Sequence, residues 1–339
     1  MRPFQHSAPL TLSDAIAACD TTVADLMASG DPLTPRGTVP RGSGCDMLDL
    51  MKEGLVSPAH MVDVRAIPEL QGVERTSDGG VRIGAAVTIA QLEGEEVLNT
   101  GAYKAVGDAA AHIAHPQIRA RGTVAGSLLQ RPHCWYFRLE EVLDPKKGGT
   151  EFAAYGGENQ FHAIFDNERS PVVHPSTLAT PFTALDARVE IAGTGGVRQV
   201  PLGEFLTDPA RDVVRENELR SGEIVTAIVL PPQPRGFVSA HIKQGQRESY
   251  DWAIVDVAVA GVQRGSDLSD VRVALGAVAP RPRRAAAAEA ALAEQGATPD
   301  AFRAAGRAAT EGATPLSKNA YKVPILETVV RRTAERAFS

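Results

Sequence analysis

Cysteine is scarce in this 339-residue chain: Cys19, Cys45 and Cys134 are odd in number and far apart. That pattern argues against a secreted disulfide framework and against any complete C-x-x-C metal site, so the three read as reduced thiols. Long apolar runs are also missing. The opening MRPFQHSAPLTLSDAIAAC has no continuous apolar core of signal-peptide length, and no later run approaches the length that crosses a bilayer. The cytoplasm is therefore the expected compartment. Nor is there a basic block: 35 Lys and Arg, spread along the chain, against 41 Asp and Glu give a formal net charge of −6. Nucleic-acid backbones and anionic membranes are not expected partners, whereas small molecules and proteins are.

What is present is the profile of a folded, loop-rich protein, 43% apolar with 31 Gly and 23 Pro, long enough for two or three compact units. Short strand-like runs alternate with helical ones, which predicts mixed α and β architecture. RGSGCDMLDLMKEG (41–54) passes from a small-residue turn into a helix with Leu48 and Met51 at helical spacing, closed by Gly54. A strand is expected from Val81, then a helix whose Thr88 and Gln91 fit a capping box. A further helix over about 102–114 should stop before Pro116, and a second small-residue turn, RGTVAGSLLQ (121–130), follows.

Residues 131–173 are polar and aromatic, too long for a routine connection, and read as a functional insertion or its remnant. Ser176 is placed to cap a helix over 177–186, ARVEIAG and VRQV form a hairpin, and EIVTAIVLP a strand. Pro231–Pro232 marks a boundary. Beyond it come two strands, WAIVDVAVAGV and VRVALGAV, Ala-rich helices at about 284–295 and 299–311, and a last helix from Val323 with Leu326, Val329, Val330 and Ala334 inward.

The two turns, 42–47 and 122–127, are the chemically suggestive feature, because backbone N–H groups converge on a phosphate only where no bulky Cβ intrudes. Each alone is equally well an ordinary turn. Neither supplies the third glycine of G-x-G-x-x-G, which disfavours a standard nicotinamide fold.

In order along the chain, GSGCDMLDLMKEG, HPQIRARGTVAGSLLQ, HPSTL, SGEIVTAIVLP, KQGQRESYDWA and ALGAVAPRPRRA resemble the flavin-binding medium subunits of the molybdenum hydroxylases, the xanthine dehydrogenase, aldehyde oxidoreductase and CO dehydrogenase group. The resemblance covers nearly the entire chain. It implies an α+β fold: a two-subdomain FAD-binding fold of the PCMH type over residues 1–232, with subdomains of about 1–60 and 61–232 and the insertion at 131–173. An α+β C-terminal domain of the CO dehydrogenase flavoprotein type follows over 236–339. It further implies FAD on Gly42, Ser43, Gly44, Cys45, Asp46 and Met47 of the first turn and on Thr123, Val124, Ala125, Gly126 and Ser127 of the second, with Ile113, Thr177, Val225 and Lys243 beside the flavin or its linker. Ser43 and Ala125 replace glycines, Cys45 a threonine, Ser127 an asparagine and Thr177 an aspartate, so weakened or altered FAD contact is expected, short of loss.

One branch of that family carries a 4Fe–4S cluster in an insertion opening on a Cys context like RPHCWYF, which Cys134 matches as first ligand. The cysteines that would complete the four are absent from this sequence, so no such cluster is expected in this chain and no metal site is assigned. By the same resemblance the chain passes electrons from iron–sulfur clusters through FAD to an external acceptor. Its partners are then a large molybdopterin subunit and a small subunit with 2Fe–2S clusters. The other function considered is a stand-alone flavoenzyme, or a scaffold with weakened flavin binding.

Several residues keep two readings. His112, His115, His133 and Cys134 are a zinc candidate or plain loop residues. Cys134 beside His133 is a nucleophile or an inert thiol. Trp135, Tyr136 and Phe137 stack on a ligand or anchor the loop. His174 touches the flavin or bonds the backbone ahead of a helix. Arg119 and Arg121 neutralise a pyrophosphate or serve the surface. Arg247, Glu248 and Asp251 form an acid/base group or a salt bridge.

Overall fold

The computed structural model describes every residue except 29, 30, 33 and 249. Its strands fall into three sheets. The first is parallel, with β1 (Gln5–Ser7), β2 (Arg36–Arg41) and β3 (Pro58–Asp63) in the order β1-β3-β2. Parallel neighbours need a crossover, and the helix Cys45–Lys52 provides the one between β2 and β3. It buries Met47, Leu50 and Met51 against Val39, Met61 and Leu26, while Leu48 is only half-buried.

The second sheet is antiparallel: β4 (Val73–Arg75), β5 (Val81–Gly84), β6 (Arg188–Gly193), β7 (Gly196–Pro201) and β8 (Ile224–Leu230), in the order β4-β5-β8-β6-β7. Its turns follow the sequence signals: the capping box of Thr88 and Gln91 opens the helix Ile89–Gly94. Two details differ from expectation. The helix Lys104–Ala111 ends earlier than 114, because His112 leaves helical geometry, Ala114 turns left-handed at φ 42° and His115 is extended before Pro116. Ser176 caps nothing. The helix Ala179–Ala184 starts after Leu178 without a side-chain cap, and Ser176 Oγ lies 3.2 Å from Ser127 Oγ.

The third sheet is an antiparallel run of β9 (Phe237–Gln244), β10 (Val255–Arg264), β11 (Asp267–Gly276) and the short β12 (Arg283–Arg284). The helices Ala286–Gln295, Pro299–Ala308 and Lys322–Phe338 pack on it, the last through buried Leu326, Val329, Val330 and Ala334. The architecture is α+β, and among the described residues no helix is long and apolar enough to cross a membrane.

Residues 131–173 form a strap that touches all three parts. Phe137 is fully buried in the core of the first sheet, whereas Ile164 and Phe165 belong to the core of the third. Between these anchors the backbone has little regular structure, so its polar groups are met by side chains far away in sequence. Asn319 Nδ2 donates to the carbonyls of His162 and Ala163 at 3.1 Å each, and Lys322 Nζ to that of His162 at 3.0 Å and, outside the strap, to that of Ala277 at 2.6 Å. Asn159 and Asn167 reach the 314–318 stretch in the same way. The anchoring reading of the aromatics holds for Phe137. Trp135 Nε1 donates to Glu158 O, and the Tyr136 hydroxyl accepts from the Glu158 N–H.

Two buried histidines make this arrangement acid-sensitive. Burial pushes His162 and His174 down to about 4 from an ordinary 6.5. As pH falls from 6.5 towards 4, the unfolded chain takes up protons that the folded chain refuses, so stability is lost in that window and fully present above it. Each histidine is expected to remove about 2 kcal/mol by pH 5. Urea midpoints at pH 7 and pH 5 check this, with His174→Asn expected to remove about 2 kcal/mol of the change; equal midpoints at the two pH values would refute it.

Candidate functional site

β2 is an edge strand, and beyond Arg41 the chain turns back into the helix Cys45–Lys52. Gly44 makes the turn in the left-handed region, at φ 81° and ψ 14°, which favours a residue without Cβ. Arg41 braces it: Nη2 bonds Asp63 Oδ2 at 2.7 Å and Nη1 donates to Ser43 O at 3.3 Å. The result is a row of donors. Among the described residues, none of the six backbone N–H groups from Gly42 to Met47 has an acceptor, and the helix has no side-chain cap. Six free amides at the positive end of a helix form an anion cradle.

The second turn is built differently. Thr123 caps the short helix Val124–Leu128, its Oγ1 accepting the N–H of Gly126 at 3.2 Å. The N–H groups of Val124 and Ala125 donate to the carbonyls of Val87 and Ala85 at 2.9 and 3.1 Å, and that of Ser127 to Thr123 O. This turn therefore presents side chains and a close surface rather than free amides. The two turns touch: a Cβ on Gly42 would lie 2.7 Å from Thr123 Oγ1.

Between them runs a cleft of about 420 Å³. It is lined by every position that the resemblance pointed to except Val124, which is fully buried in the core with its amide already paired. Ile113, Val225 and Thr177 form part of the wall. Lys243, at the end of β9, also lines it. Its ammonium donates to His112 O at 2.8 Å, and burial holds its pKa below the ordinary lysine value.

Other candidates take their plainer reading. Arg119 spends its guanidinium on Glu93 and on the carbonyls of Ile113 and Ala114, and neither it nor Arg121 lines the cleft. His174 lies outside the lining, with Nδ1 accepting the N–H of Ser176. Arg247 and Asp251 form an exposed ion pair at 3.5 Å. Among the described residues no group of three or more potential metal ligands is gathered. The zinc candidate is dispersed: His112 bonds Asp108 O, His133 stacks on Trp252 with ring centres 4.0 Å apart, and Cys134 Sγ lies 3.1 Å from His162 Nε2. Burial pushes the Cys134 thiol up to about 11, which is unsuited to a nucleophile at neutral pH.

Sequence reading passed over the rim. Tyr250 and Trp252, carried from the third sheet's part, face His115 and His133 across the cleft. A pair of aromatics bracketing Asp251 was the available signal. Arg41 and Arg131 also line the cleft, and their only signal was proximity to the turns.

The chain is similar to known proteins in sequence and in overall fold. The family described as the FAD binding domain in molybdopterin dehydrogenase matches residues 9–233, and the CO dehydrogenase flavoprotein C-terminal domain matches residues 240–337. The aldehyde oxidoreductase FAD-binding subunit PaoB of Escherichia coli K12 is 36% identical over 254 residues, covering 74% of this chain and 78% of its own. The carbon monoxide dehydrogenase medium chain of Hydrogenophaga pseudoflava is 26% identical over 342 residues, covering 99% and 97%. A solved structure of carbon monoxide dehydrogenase from that organism, lacking the Mo-pyranopterin moiety of its cofactor, superposes with a TM-score of 0.71 at 26% identity, over 99% of this chain and 98% of the other.

Proposed function

Because this chain belongs to the family of FAD-binding subunits of the molybdopterin dehydrogenases, we propose that it holds FAD in the cleft between its two turns and carries electrons from a partner's iron–sulfur clusters to an external acceptor. The observation that carries this reading is the row of six unpaired amides from Gly42 to Met47, which fits a pyrophosphate. When bound, FAD supplies a carrier that accepts electrons singly and releases them singly or in pairs.

The chain's own residues do the holding. The first turn donates to the phosphates, and the second sets the width of the cleft through the Gly42–Thr123 approach. Ile113 and Val225 offer apolar wall and Lys243 a cation. Ser43 and Ala125 both keep negative φ, so replacing glycine there costs no backbone strain and leaves the first turn's donors in place. That favours retained FAD over a scaffold that has lost it. The partners are then a large molybdopterin subunit, where substrate is hydroxylated, and a small 2Fe–2S subunit. Residues 1–232 serve as the FAD-binding part and 236–339 as the C-terminal flavoprotein domain.

Cys45 provides the test, since it lies in the cradle and is the exposed cysteine of the three. Burial pushes the Cys19 thiol up to about 12 and Cys134 to about 11, which leaves Cys45 the reactive one. Saturating FAD is expected to slow iodoacetamide alkylation of Cys45 in the flavin-free chain about tenfold or more, read by peptide mass spectrometry. An unchanged rate in the presence of FAD would overturn the placement.

A further inference from the structure

Asp46 is the second residue of the helix whose first turn supplies the amides, and it lines the cleft. A free carboxylate there would oppose a bound anion in two ways. It would repel the phosphate charge, and it would compete for the same N–H groups. The structure shows neither freedom. Asp46 Oδ1 accepts from Arg138 Nη2 at 2.6 Å, and Oδ2 accepts the backbone N–H of Arg131 at 2.9 Å. Both partners come from the strap.

Arg138 is itself held in place. Its Nε donates to Pro132 O at 2.8 Å, its Nη2 also to Arg131 O at 3.1 Å, and its Nη1 to Glu53 Oε2 at 3.1 Å. Glu53 is the C-cap of the same helix, where a carboxylate opposes the helix dipole. One guanidinium therefore bridges the two ends of the crossover helix, with the fully buried Phe137 next to it as anchor. His133 is the other basic group near Asp46, with Nε2 3.8 Å from Oδ1. Burial and the Arg138 charge push it down to about 4, so it stays neutral at neutral pH and does not replace the arginine.

We infer that Arg138 is a positioning residue for the dinucleotide pyrophosphate: it neutralises Asp46 and holds the carboxylate out of the amide cradle, so that the cradle meets the phosphates unopposed. This rests on the FAD reading above. It gives the strap a task in cofactor binding that its sequence position, after the second turn, does not suggest.

The test is the FAD dissociation constant of the full chain, measured by quenching of flavin fluorescence. Arg138→Gln is expected to weaken FAD about 10- to 100-fold, the effect of one unscreened like charge a few ångströms from the phosphates. Adding Asp46→Asn to that variant is expected to restore affinity to within about fivefold of the unaltered chain, because the amide carries no charge and its Oδ1 still accepts from Arg131. A purely structural arginine would show no such rescue. If Arg138→Gln fails to fold, Arg138→Lys keeps the charge beside Asp46 while losing the fork, and should hold FAD within about tenfold. An Arg138→Gln chain that binds FAD as tightly as the unaltered one overturns the inference. So does a double variant as weak as the single, or an Arg138→Lys chain that folds and has lost FAD. Failure of the unaltered chain to bind FAD at all instead overturns the function it rests on.

Discussion

Gly44→Val is expected to abolish flavin retention, weakening FAD by about a thousandfold or more. The turn places residue 44 at φ 81°, a conformation that costs an L-residue about 1–2 kcal/mol and a β-branched one more. To escape that strain the turn must rotate its peptides, and the row of amides from Gly42 to Met47 no longer converges. Each charge-assisted bond lost from amide to phosphate is worth about 1.5–3 kcal/mol, so losing two of them with the strain reaches the stated effect. The measurement is flavin absorbance of the purified chain after gel filtration, followed by titration of the flavin-free form. Ser43→Gly is the control. Ser43 keeps negative φ, so that change should alter affinity by no more than about threefold. A Gly44→Val chain that emerges yellow would refute the assignment of the cradle.

Asn319→Leu is expected to cost about 2 kcal/mol of stability. The amide of Asn319 is fully buried and makes three bonds: Nδ2 to the carbonyls of His162 and Ala163, and Oδ1 from the N–H of Leu316 at 2.7 Å. Leucine fills the volume but leaves the Leu316 donor without a partner, at about 1–3 kcal/mol for that group, while the carbonyl of Ala163 keeps the Asn167 amide at 3.0 Å. The carbonyl of His162 keeps Lys322. The loss should show as a lower urea midpoint. It should also show as faster tryptic cleavage after Lys146 and Lys147, because the strap that carries them is pinned from its far end. Unchanged proteolysis with lowered stability would place Asn319 outside the strap's support.

Local signals were the ones the sequence displayed. The capping box at Thr88, the hairpin of β6 and β7 and the inward face of the last helix depend on neighbours within a few residues, and each is where its pattern put it. The first sheet was harder to see. β1 has three residues and β2 carries Gly37 and Pro40, so neither shows the apolar run that marks a buried parallel strand. The two turns look alike in sequence, being rows of small residues. What separates them is whether the carbonyls of Ala85 and Val87 happen to face the amides, which composition does not encode. Ser176 had the chemistry of a cap but not the place, since the helix begins three residues later. The strap was legible only as something too long to be a plain connection. The partners of His162 at its middle, Asn319 and Lys322, stand more than 150 residues away, beyond any window that periodicity covers.

That separation has a consequence for how the protein is made. A ribosome delivers the chain from its N-terminus, and the residues that hold the middle of the strap, from Thr314 to Lys322, emerge long after the strap itself. Until they arrive, the carbonyls of His162 and Ala163 lack those donors and the C-terminal anchor of the strap is unset. The near end of the strap braces the helix that presents the amides, and its far end is pinned only once residue 322 has emerged. Nascent chains arrested before residue 314 are therefore expected to bind FAD poorly even though residues 42–127 are already complete, and comparison of arrested with released chains would show it. The flavin is then a late passenger, loaded once residue 322 has emerged instead of serving as a template for the first turn.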